Sequence, residues 1–179
     1  MAEVSRAAHW KFRGLFLLIA AVLFFVQLLP LASGAGRMPG PDVLLLVVAA
    51  WVLRRPDYVP VLLIAAVFLL ADILFMRPLG LWTAIVILGT EFLRARSVAV
   101  RDWSFAVEWL VVAVTIAVMF LANALVLTLF MANDAPLGLT LIHLIATVLA
   151  YPLVVILGAR AMGLQKIAPG EVDALGHRQ

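Results

Sequence analysis

Hydrophobic residues along this chain do not alternate with polar ones. They gather into six nearly unbroken runs, separated by short polar or Gly/Pro-rich breaks. A bilayer core offers no water to backbone N–H and C=O groups, so a chain of this kind crosses it as helices or as a closed barrel, and unbroken runs favour helices. The pattern predicts spans at residues 14–31, 39–53, 58–76, 79–93, 105–131 and 136–160, followed by a polar tail at 161–179. The expected fold is an all-α membrane protein, with six transmembrane helices in one bundle that forms a single domain over residues 1–179.

One stretch organises the rest: PDVLLLVVAAWVLRRPDYVPVLLIAAVFLLADILFMRPLG, residues 41–80. It joins two apolar runs through the corner Arg54-Arg55-Pro56-Asp57, with Asp42 at the far end of the first run and Asp72 near the far end of the second. The first of these runs is short. Counted from Pro39 it has 15 residues, about 22 Å of helix against a hydrocarbon core of about 30 Å. Pro152 lies inside the last run and, lacking an N–H, is expected to kink or break that helix. The first run is flanked by LASGAG, which looks like a signal-peptidase site, but the run exceeds the usual h-region and is read as a retained span.

Composition fits the pattern: 66% of residues are hydrophobic, 13% are charged and mean hydropathy is +1.16. The sequence pI near 10.0 and formal charge of +3 do not point to nucleic acid, because the basic residues stand singly or in pairs at run ends, where topology signals belong. Counted on alternate sides of the six spans, eleven of the 13 Lys and Arg residues fall on the N-terminal side, and only Arg37 and Arg77 fall on the other. The excess marks the cytoplasmic face, so both termini are expected there. Trp51, Tyr58, Trp103 and Trp109 fall near that face and Trp82 near the opposite one, an ordinary interfacial belt.

Ionisable groups inside spans are costly and single out candidate sites. Glu91, three residues before Arg94, and Glu108, near Arg101, read as cytoplasmic-edge groups explained by ion pairing or helix-dipole complementarity. Gln27, Asp42, Asp72, Asn123 and His143 fall at one level in the outer leaflet, each from a different segment. They read either as a polar plug that fixes helix packing or as an outward pocket or seam for a partner. No catalytic constellation emerges: no serine or cysteine shares the level of His143, and His9 and His177 fall on the cytoplasmic side. There is no Gly-rich phosphate loop and no cysteine, so neither a cofactor nor a metal is expected. The apolar gap between the outer level and Glu91 or Glu108 argues against an ion channel.

The stretch resembles the MreD family, small membrane subunits of the bacterial rod-shape system. The resemblance rests on Pro41-Asp42 opening the second span, Trp51 before the Arg54-Arg55-Pro56-Asp57 corner, Asp72 late in the third, and Pro78-Leu79-Gly80 before the fourth. It covers residues 39–93 best and is topological elsewhere. It implies a non-catalytic scaffold in the bacterial inner membrane. The partners it implies are MreC, the glycosyltransferase RodA, a class B penicillin-binding protein and the cytoskeletal MreB. The Arg54-Arg55 corner would then face anionic lipid or cytoskeletal partners. The family's fold is also similar to the substrate-binding S components of energy-coupling-factor vitamin transporters, which makes a small-molecule binding subunit the alternative expectation.

Overall fold

In the computed structural model the described residues, 2–29, 40–100, 103–131 and 137–162, form six α-helices and one 3-10 turn. The helices are α1 (Ala2–Leu28), α2 (Val43–Arg54), α3 (Val61–Leu74), α4 (Leu81–Val100), α5 (Phe105–Met131) and α6 (Leu137–Met162), with the 3-10 turn at Pro56–Tyr58 between α2 and α3. Arg37, Arg101, Lys166, Arg178 and His177 lie outside the described residues, as do the side chains of Arg6 and His9.

Three segments are long and apolar enough to cross a membrane: Trp10–Leu28, Phe105–Phe130 and Gly138–Arg160. The other three helices differ from the expected spans in instructive ways. With 12 and 14 residues, α2 and α3 reach only about 18 and 21 Å at 1.5 Å per residue. The expected fourth span ends at residue 93, whereas α4 continues to Val100, carrying Arg94, Arg96 and Ser97 on helix rather than in a loop.

The hub is α2. Its sequence VLLLVVAAWVLR has no polar face before the terminal arginine, and every residue from Leu44 to Leu53 is buried. A helix apolar all round belongs at the centre of a bundle. It packs against α4 and α6, and α1 closes a further side. The outer helices show the complementary pattern. In α3, Ile64, Val67, Phe68, Ala71 and Asp72 form one buried stripe at helical spacing, while Leu62, Leu70 and Ile73 are exposed. Such an apolar exterior suits lipid, and α1, α5 and α6 present it as well.

Helix α1 is held mainly by aromatic rings. Phe12, Phe16, Ala20 and Phe24 recur every four residues and so share one face. Phe12 stacks on Tyr58 with ring centroids 4.2 Å apart, Phe16 lies 5.9 Å from Trp51, and Phe24 meets Phe75 edge-on at 6.0 Å. Pro152 neither breaks nor interrupts α6. Its missing N–H leaves the Val148 carbonyl, four residues back, without its helical donor. The indole Nε1 of Trp109 on α5 donates to that carbonyl at 3.0 Å. Trp109 is therefore a structural clamp between α5 and α6.

Candidate functional site

Asp42 and Asp72, the two carboxylates of the organising stretch, both cap helices. Asp42 is the N-cap of α2: its Oδ1 accepts the Leu45 amide at 3.0 Å. Its own amide donates to Thr147 Oγ1 at 3.1 Å, which ties the start of α2 to α6. Asp72 reaches across the turn after α3 to the start of α4. Its Oδ2 accepts from the Gly80 amide at 3.1 Å, the Thr83 amide at 3.3 Å and the Thr83 hydroxyl at 2.8 Å. A helix N-terminus carries unsatisfied donors and a positive partial charge, so a buried carboxylate is at home there. Asp72 is fully buried.

The turn between them is a C-terminal cap of defined form. The Arg77 amide bonds back to the Asp72 carbonyl at 2.9 Å and the Met76 amide to the Ile73 carbonyl at 3.3 Å, the Schellman pattern. Met76 takes the left-handed position, with φ of 51°.

Four of the five polar residues expected at one level do converge. Gln27, Asp42 and His143 line a cavity of about 300 Å³ with Gly40, Pro41, Phe75 and Arg77. Asp42, Asn123 and His143 line a neighbouring cavity of about 250 Å³ with Arg77, Pro78, Trp82 and Phe120. The fifth, Asp72, lines neither cavity: capping α4 turns it away. His143 is fixed edge-on against Phe120 at 4.9 Å.

Arg77 belongs to both cavities and did not stand out in the sequence beyond its count toward topology. Its guanidinium lies 5.5 Å from the Phe75 ring centroid. Among the described residues no carboxylate lies within ion-pair distance of it. The signal was present: an arginine on the face where basic residues are scarce is costly to keep there and calls for an explanation.

At the opposite end of α2 the arginine corner turns inward. Arg54 Nη2 donates to Glu108 Oε1 at 3.0 Å, and the Tyr151 hydroxyl donates to the same oxygen at 2.9 Å. Glu108 is fully buried and ion-paired with Arg54, and this cluster joins α2, α5 and α6. Arg55 lies 5.8 Å from the Tyr58 ring centroid, and Asp57 is exposed on the 3-10 turn.

The corner itself is clasped from α4. Arg94 donates to the Pro56 and Val59 carbonyls, each at 2.7 Å, and its Nε pairs with Glu91 at 2.7 Å, the contact expected from their spacing. Arg96 lies over the Phe92 ring. Of the basic residues at this corner, Arg54 and Arg94 are engaged in contacts within the bundle.

Chemically, the two cavities are lined by one cation, one carboxylate, one imidazole and two amides, groups that can donate to and accept from a polar ligand. Among the described residues no group of three His, Asp or Glu side chains is placed to hold a metal ion. Comparison of the chain with protein-family models, with curated proteins and with solved structures gives no match.

Proposed function

We propose that this chain is a non-catalytic scaffold subunit of the bacterial cell-elongation machinery, of the MreD kind. In this reading six helices cross the inner membrane with both termini cytoplasmic. The subunit binds MreC within the membrane and helps organise lateral peptidoglycan synthesis beside RodA and a class B penicillin-binding protein, with MreB on the cytoplasmic side.

The observation that carries the reading is the use made of residues 41–80. The residues behind the resemblance are the hub of the bundle, and their charges serve helix caps and the corner cluster rather than a reacting group. The eleven-to-two division of basic residues supports the orientation. The exposed apolar faces of α1, α5 and α6 supply surface for a partner's single membrane helix. Depleting the protein in its native rod-shaped host tests the proposal. Cells should widen and round up as lateral wall insertion loses its pattern, and rods of unchanged width would overturn it.

A second reading, a small-molecule binding subunit of a transporter, draws on the paired cavities at the Asp42 end of the bundle. A saturable vitamin ligand there would favour it over the scaffold.

A further inference from the structure

Asp42 and Arg77 carry opposite charges, line the same two cavities and form no ion pair with each other or with any other described residue. Asp42 is half-buried and Arg77 exposed, and both line cavities of about 300 and 250 Å³, roomy enough for a ligand that meets each charge. Each is held in place by something else. The Asp42 carboxylate is anchored by capping α2, and Arg77 follows the Schellman turn with its guanidinium beside the Phe75 ring. The cavities between them have walls of both kinds: Gln27, Asn123 and His143 are polar, while Phe68, Trp82, Phe120 and Leu127 are apolar. They open where α1 and α3 finish and α2 and α4 begin, at one end of the bundle.

We infer that the paired cavities bind a zwitterionic group, with its anionic end on Arg77 and its ammonium on Asp42. An ethanolamine phosphate headgroup has this chemistry, whether carried by a phospholipid or free in solution. The phosphate takes the planar donor fork of Arg77, with the Asn123 and Gln27 amides and the His143 imidazole as neighbours. The ammonium donates to the carboxylate oxygen that the cap leaves over. Phosphatidylcholine offers no N–H to Asp42, and phosphatidylglycerol offers no cation. The inference does not require the scaffold role, so either can fail without the other.

Two substitutions remove a charge while sparing the fold. Asp42→Asn keeps a side-chain acceptor at the N-cap, and Arg77→Gln alters an exposed side chain. The purified full chain would be mixed in detergent with dioleoyl phosphatidylethanolamine, phosphatidylglycerol or phosphatidylcholine, and separately with free phosphoethanolamine, and binding read by native mass spectrometry and thermal shift.

One phosphatidylethanolamine per chain should be retained in preference to the other two lipids. Each substitution should weaken that binding by about tenfold, the scale of one charge-assisted hydrogen bond, with the helical circular dichroism unchanged. Saturable binding of free phosphoethanolamine, lost in both variants, would assign the site to a soluble zwitterion. Retention only of the lipid would assign it to the membrane. Equal retention of phosphatidylglycerol, undiminished binding in both variants, or no binding of either probe would overturn the inference.

Discussion

Met76 holds a conformation that L side chains rarely adopt, and it does so to end α3. With φ of 51° it fills the left-handed position of a Schellman cap, a place that costs a non-glycine residue about 1–2 kcal/mol. Its side chain is 95% exposed, so little packing is lost by removing it. Met76→Gly should therefore stabilise the fold by about 0.5–1 kcal/mol, seen as a higher thermal midpoint in detergent. A lower midpoint would show that the side chain matters more than the backbone. The sequence carried part of this turn: Arg77-Pro78-Leu79-Gly80 marks a corner, but nothing in it says that Met76 takes the strained position. Asp42 was equally half legible. A Pro-Asp pair before an apolar run is an N-cap by its chemistry, and its place at the cavity follows from the expected depth. Asp72 was not legible, because the helix it caps starts nine residues later and is met only through the geometry of the turn.

At the scale of elements, two contacts from the first turn of α5 hold the bundle together at the arginine corner. One is the buried cluster of Arg54, Glu108 and Tyr151. Glu108→Ala removes the carboxylate that faces the nearly buried Arg54 guanidinium and should cost about 3–5 kcal/mol. Replacing the set together, Arg54→Met with Glu108→Leu and Tyr151→Phe, should recover most of that loss. Chemical unfolding of the single and combined variants checks this, and a combined variant no more stable than Glu108→Ala would contradict it.

The other contact is Trp109 on the carbonyl that Pro152 leaves open. Trp109→Phe should cost about 1 kcal/mol in the native background and close to nothing once Pro152→Ala restores the helical donor. A double-mutant cycle reads the difference, and equal costs in both backgrounds would separate the two residues. The sequence placed Glu108 and Trp109 correctly along the helix axis. It could not give their direction around it, which depends on which helices flank α5, and so the ion pairing of Glu108 was legible but its partner Arg54 and the clamp made by Trp109 were not. For Arg94 the pairing with Glu91 was legible from their spacing, whereas its bonds to the Pro56 and Val59 carbonyls leave no trace in sequence.

For the whole molecule, the helical class and membrane character were legible because both follow from run length and hydropathy. The arrangement was not. That a 12-residue helix becomes the hub depends on three neighbours closing around it, and its brevity is tolerated because protein rather than lipid surrounds it. The centre is fixed by caps and a buried ion pair while the outside stays apolar, and the proposed scaffold role would use that exterior to hold other membrane segments. Copurification is the most direct test of that claim. The tagged full chain, extracted in mild detergent from native membranes, should carry MreC with it at a fixed stoichiometry, and should still do so in the Asp42→Asn, Arg77→Gln double variant. Recovery of the intact bundle without MreC, or with an ATPase pair in its place, would contradict the scaffold account.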